Sequence, residues 1–291
     1  MKITNNSMVL MMLALGLATL TGCISFGGKA VEPLPEAGDE ANQVRPLTAR
    51  EISDKALEAE KRRQAKTEAG VVFTFQRKVV INEVEGKKER LKTRTYQSFS
   101  DNRDPVLLLI DGKKPTPEQV EKERKKIHKH QIKILGKGES AEDPDREGDA
   151  NLMVRNIEKH RDKFIPHLIG TETVNGRPAY ILQFLHNPER RFKEAMANEV
   201  LKHVLIKIWI DQTEFQVTKA EVILANPLYV IGGLAATVNT FKLTAYQKRL
   251  TPEIWTDHRV TSSIEGRVLW TPHTITFSSE SSNFKPLPKN D

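Results

Sequence analysis

From His167 onward the sequence alternates apolar and polar side chains in runs of strand length, and turn residues separate the runs. A period of two places alternate residues on opposite faces of a strand, a pattern an α-helix cannot use. "HLIGTETVNGRPAYILQFLH" carries Asn175-Gly176, a dipeptide suited to a two-residue hairpin turn. "HVLIKIWIDQTEFQVTKAEVIL" folds into a second hairpin about Asp211 to Glu214, and "TVNTFKLTAYQKRL", "EIWTDHRVTSSIEG" and "RVLWTPHTITFSSE" read as three more strands. Strands joined this way form an antiparallel meander, with one face covered and the other wet.

The first half of the chain mixes helices with the same strand chemistry. Thr48-Ala-Arg-Glu51 has the form of a capping box, and Ile52, Ala56, Leu57 and Ala59 follow at helical spacing, which predicts a helix over about 49–67. "VVFTFQRKVVINEVEGKKERLKTRTYQSFS" reads as a hairpin around Glu85-Gly86-Lys87. "PVLLLIDGKKP" is a strand ending at Asp111-Gly112, and Thr116-Pro117 starts a second, Lys/Glu-rich helix. Gly136 to Asp149 is polar and acidic and reads as an exposed loop, followed by a short helix over about 150–161. The expected fold class is α+β, one curved antiparallel sheet with helices packed into its concave side.

The N-terminus belongs to no such body. Lys2 precedes an uncharged apolar run, Met8 to Leu20, and the small residues Thr21 and Gly22 lead to Cys23, the only cysteine of 291 residues. The run spans about 20 Å as a helix, short of the ~30 Å bilayer core, so it has the form of a signal peptide and not of a transmembrane helix. A single cysteine excludes an internal disulfide and any zinc site built on paired cysteines. Leu20-Thr21-Gly22-Cys23 resembles the lipobox of bacterial lipoproteins. That resemblance implies cleavage after Gly22, a diacylglycerol and an N-acyl chain on Cys23 and no other cofactor. With Ile24 and not Asp next, it implies sorting to the outer membrane, facing the periplasm. The alternative is an ordinary secretory signal with an incidental cysteine. Ile24 to Pro46, rich in Gly, Pro, Glu and Ala, reads as a flexible tether. The domain plan is signal peptide 1–22, lipidated cysteine and tether 23–46, folded body 47–291.

Two stretches are candidate binding elements. Val204, Ile206, Ile208 and Ile210 share one strand face, opposite Leu205, Lys207, Trp209 and Asp211, and Tyr180, Leu182 and Phe184 form a similar stripe. Alternation reports burial, so these residues line either an apolar cavity or a filled core. In "NPLYVIGGLAATV", residues 226–238, Leu228, Tyr229, Val230, Ile231 and Leu234 form an apolar run between Pro227 and Gly232-Gly233. It suits a loop tip or short irregular helix, either exposed to a bilayer or acyl chain or buried as a plug.

Charge is less informative. Lys122, Arg124, Lys125, Lys126, Lys129, Lys133 and Lys137 could attract anionic headgroups, but interleaved Glu118, Glu121 and Glu123 also describe a solvated helix face. The net charge of +7 does not imply nucleic acid in an exported lipoprotein. His128 and His130, two apart on a helix, cannot chelate one metal, and Asp257-His258 has no nucleophile beside it. No zinc-protease helix, nucleophile elbow or P-loop occurs, so no enzyme is expected.

"GTETVNGRPAYILQF", "KIWIDQTEFQVTKAEV", the Gly-containing apolar segment and "EIWTDHRV" together resemble the outer-membrane lipoprotein-sorting family related to LolA, LolB and RseB. The "DGK" turn at Asp111 to Lys113 and the Lys/Glu-rich helix match one branch, over roughly residues 48–285. The end, "FSSESSNFK", departs from that branch's more aromatic ending. The resemblance implies an unclosed β-barrel with a helical lid over an apolar cavity, and partners that are lipid or lipoprotein acyl chains. The runner-up is a non-catalytic module docking an envelope protein complex. Either is expected as a monomer.

Overall fold

The structure, a computed structural model, describes residues 46–69, 72–100, 104–135, 161–190, 195–230, 236–251 and 254–287. Helix α1 spans Ala49–Ala69. Its capping box is made as the sequence predicts: the Thr48 N–H donates to Glu51 Oε2 at 2.8 Å and the Glu51 N–H to Thr48 Oγ1 at 3.3 Å. The hairpin follows as β1 (Phe73–Glu85) and β2 (Lys88–Phe99), then β3 (Val106–Ile110). Helix α2 (Pro117–Leu135) opens on a second capping box, Thr116 with Gln119.

A short 3-10 turn, Arg161–Lys163, leads into β4 (Phe164–Val174), which pairs with β5 (Arg177–His186). Helix α3 (Ala195–Lys202), β6 (Val204–Asp211) and β7 (Val217–Leu224) come next. The chain ends with β8 (Leu228–Val230), β9 (Ala236–Arg249), β10 (Trp255–Val268) and β11 (Thr271–Pro286).

Eleven strands make one sheet in the order β3-β2-β1-β11-β10-β9-β7-β6-β5-β4, with β8 paired to β9 beside that path. The sheet has two ends and does not close: it is an unclosed half-barrel. From β4 to β11 it is the antiparallel meander that the sequence predicts, with β8 beside the path. The first hairpin pairs with the last strand, Phe73 opposite Pro286, and the two edge strands β3 and β4 are consecutive in sequence. Turn chemistry fixes hairpins, but no local signal says which strand a hairpin joins.

The sequence reading needs some corrections. The short α3 was missed, because eight residues leave too little periodicity to stand out from strands. Residues 228–230 form a short strand instead of a loop or irregular helix, because β9 extends far enough to pair with them. Arg267 and Val268 end β10 instead of starting the last strand, since the turn is Leu269-Trp270. The helix expected over 150–161 lies outside the described residues except at Arg161.

Cross-strand register aligns side chains in rows. One row runs Lys92, Ile81, Phe277, Ser262, Leu243, Val222, Ile206, Phe184, Pro166, from β2 to β4. The row belongs to the inner face, where the main core cluster gathers Leu182, Phe184, Ile206, Ile208, Val222, Phe241, Leu243 and Ile264 beneath Ile52 and Ala56 of α1 and Val200 and Leu201 of α3. The outer face is not wholly wet. Trp209 is buried there with Val174 and Ala179, its Nε1–H donates to Glu172 Oε2 at 2.6 Å, and Lys219 Nζ lies 3.8 Å from its ring centroid.

Candidate functional site

The two stripes read from the sequence meet in register. Tyr180 pairs with Ile210, Leu182 with Ile208 and Phe184 with Ile206 across β5 and β6. Val204, one step further along β6, pairs with Leu224. All but Tyr180 are buried in the main core cluster, and Tyr180 is partly buried against it. The described side chains of α1 and α3 pack onto them. A space lined by Arg50, Ser53, Asp54, Arg161, Phe164, Pro166 and Phe184 measures about 10 Å³, the room of one water centre.

Helix α1 packs over this face through Ile52 and Ala56, and polar positions tie it down as well. Asp54 makes an ion pair with Arg161, just before β4. Gln216 Nε2–H donates to the carbonyl of Ala59 at 2.9 Å. Lys55 Nζ lies 5.2 Å from the centroid of the Phe215 ring, which stacks on Tyr180 at 6.4 Å. Phe215 was not singled out in the sequence; it adopts φ +57° in the β6–β7 connection, and local pattern gives no warning of that.

Beside Phe215 is an ionic cluster that the sequence also concealed. Asp211 is 0% exposed and takes both Arg177 Nε (2.6 Å) and Nη2 (3.0 Å), plus the backbone N–H groups of Thr213 and Glu214. Burial pushes its carboxyl pKa up, but the Arg177 and backbone hydrogen bonds and the Arg177 charge outweigh that and hold it below the usual value. Glu214 extends the cluster to Arg249 at 2.6 Å and accepts from Trp255 Nε1–H at 3.0 Å.

The apolar segment 226–238 divides. Leu228 is 7% exposed and joins the core cluster, whereas Tyr229 is 60% exposed. Val230 is in β8, and Ile231 and Leu234 lie outside the described residues, as does Cys23.

The basic helix docks through an acid. Glu123, buried in α2, accepts from Arg94 Nη1 at 3.1 Å and from the Tyr96 hydroxyl at 3.0 Å. Arg124 and Lys125 reach back to Glu121, and Lys126 to Glu123, which accounts for three of its cations as helix-face pairs. Lys122 is exposed; the side chains of Lys129 and Lys133, and all of Lys137, are outside the described residues. His128 is exposed, and His258 Nδ1 contacts the Ser281 carbonyl at 3.0 Å, while neighbouring Asp257 is exposed. Among the described residues no group of His, Cys, Asp and Glu could hold a metal, and no helix is long and apolar enough to cross a membrane.

No family model matches the chain, and no curated protein matches it. Solved structures similar to it include a LolA superfamily protein from Nitrosomonas europaea, at 13% identity and a TM-score of 0.28 over 84% of this chain and 96% of that one. The lipoprotein LppX from Mycobacterium tuberculosis is 10% identical with a TM-score of 0.26, covering 82% and 100%. The MucA/MucB complex from Pseudomonas aeruginosa gives 10% identity and a TM-score of 0.21, covering 79% and 99%.

Proposed function

We propose that the chain is a lipid-anchored protein of the bacterial outer membrane, tethered through Cys23 and facing the periplasm. It binds the acyl chain of a lipid or lipoprotein against the inner face of its sheet, in the sorting or sensing of envelope components. One observation carries this reading: the face formed by Leu182, Phe184, Val204, Ile206, Ile208 and Ile210 is strongly apolar, and among the described side chains of α1 only Ile52 and Ala56 join its core cluster, with Ala49 packed against it. Burying an isoleucine is worth about 1.5–3 kcal/mol, whereas an acyl chain gains ~0.8 kcal/mol per CH₂. A chain of ordinary length therefore outweighs the apolar contacts that α1 surrenders, and it replaces the helix on the sheet. Tyr180, partly buried near Phe215, marks the edge where the chain enters. Tyr229, with Leu228 behind it and Val230, Ile231 and Leu234 following, offers the acyl chain or bilayer a first contact.

A second reading, a non-catalytic module that docks an envelope protein, is favoured by one feature: the described side chains already fill the face, and the space beside Phe184 holds one water at most. Native mass spectrometry of residues 24–291, exported without Cys23, separates the two. A lipid or lipopeptide that copurifies at near-unit stoichiometry supports acyl binding. A clean unliganded mass that takes up no added phospholipid or lipopeptide overturns it and leaves the docking module.

A further inference from the structure

Three tight turns of this sheet obey ordinary turn chemistry, with Gly86, Asp111-Gly112 and Asn175-Gly176 at the positive φ values the backbone requires. The β10–β11 turn does not. Its positive-φ position, φ +54°, is Leu269, and the next residue is Trp270, 83% exposed. Phe215 also has positive φ, but its ring is packed against the core, so burial offsets the strain. Leu269 and Trp270 are both exposed and gain no such compensation in the isolated body.

What surrounds this tip has a definite chemistry. The Gly86 N–H donates to the Pro272 carbonyl at 3.0 Å, which brings the β1–β2 turn, with exposed Lys87 and Lys88, alongside it. Neither lysine makes an ion pair among the described residues. Exposed Tyr229 belongs to the row Tyr229, Thr237, Arg267 at the same end of the sheet, with Arg267 exposed. Glu265 lies further back along its strand, and Glu85, the cross-strand partner of Lys88, faces His273 at 3.8 Å.

We propose that Leu269-Trp270 is a bilayer-insertion tip that docks the folded body onto an anionic phospholipid surface, with Lys87, Lys88 and Arg267 meeting the headgroups. An indole and a tyrosine beside cations suit the membrane interface, where apolar rings enter the acyl boundary and basic side chains stay with phosphate. This assignment is independent of acyl binding on the inner face.

The test uses the full chain and its own fluorescence. Trp209 and Trp255 are buried, so the wild-type spectrum minus that of Trp270→Phe isolates the tip. On vesicles of phosphatidylethanolamine and phosphatidylglycerol the difference spectrum is expected to shift to the blue, to lose acrylamide quenching and to be quenched by brominated acyl chains. Lys87→Glu with Lys88→Glu is expected to abolish the shift without changing far-UV circular dichroism. A tip spectrum that stays water-exposed on these vesicles overturns the proposal. So does an equal shift on phosphatidylcholine that charge reversal leaves intact, or a blue shift that grows with protein concentration without vesicles, which would mark contact between copies of the chain. Acyl occupancy of the Trp270→Phe protein by mass spectrometry is expected to match wild type, so failure of either idea is seen separately.

Discussion

Gln216, in the β6–β7 connection, donates its side-chain N–H to the Ala59 carbonyl at 2.9 Å, joining the edge of the sheet's core to the middle of α1. Gln216→Ala removes this buried bond and is expected to lower stability by about 1 kcal/mol in urea unfolding. If α1 exchanges with an acyl chain, the same variant also takes up lipid faster. Unchanged uptake with reduced stability would assign Gln216 a purely structural role.

Asp211 is buried with Arg177 and two backbone N–H groups as its partners, and its pKa is held down. A carboxyl depressed in the folded state contributes stability above its unfolded pKa of ~3.9, and that contribution is lost as pH falls through the lower folded value. Wild-type unfolding free energy is therefore expected to decline as the pH drops below about 4. Asp211→Asn should cost roughly 3 kcal/mol at neutral pH, with a shallower acid slope. Equal acid slopes for the two proteins would show that Asp211 does not contribute to that dependence.

Burial, then the charge and hydrogen bond of Glu123, push the Tyr96 phenol up to about 12. The unfolded phenol ionises near ~10, so the folded chain keeps its proton longer and stability is lost as pH rises from about 10 through 12. Absorbance titration at alkaline pH should show a late tyrosine ionisation near pH 12. Tyr96→Phe should remove that late step and weaken the docking of α2 by about 1 kcal/mol.

At Gly266 an added Cβ would collide with the Thr237 backbone carbonyl, at the irregularity in β9–β10 pairing. Because backbone and not a flexible side chain blocks it, Gly266→Ala is expected to destabilise the chain by several kcal/mol and to give little soluble protein. Thermal unfolding of any recovered material within a degree or so of wild type would refute the clash.

Leu228 and Tyr229 are adjacent but face different surroundings, one in the core and one in solvent. Leu228→Asp is expected to prevent folding, since it buries an unpaired charge. Tyr229→Asp should unfold at nearly the wild-type urea midpoint. Equal losses in both would mean that Tyr229 is packed as tightly as its neighbour.

Local chemistry was legible in the sequence wherever a few neighbouring residues decided it. Thr48 with Glu51, Asn175-Gly176, and the period-two faces of Tyr180–Phe184 and Val204–Ile210 all fall where their spacing predicts. Burial of the latter was readable, but whether they line a core or a cavity depends on what α1 brings from far away in sequence. Asp211 looked like a turn residue on a polar face, because its partner Arg177 belongs to another hairpin. Trp209 looked solvent-facing for the same reason, since Glu172 and Lys219 reach it from β4 and β7. Trp270 was read as strand interior, and only the register of β10 with β11 reveals it as a turn.

The pairing of β1 with β11 also imposes an order of events on a chain synthesised N-terminus first. The hairpin made early must keep an open edge until the last strand arrives, so the sheet is completed only after synthesis has ended. Such long-range closure is slow and leaves a sticky intermediate, which makes the interval before β11 docks the moment when this chain is most prone to aggregate.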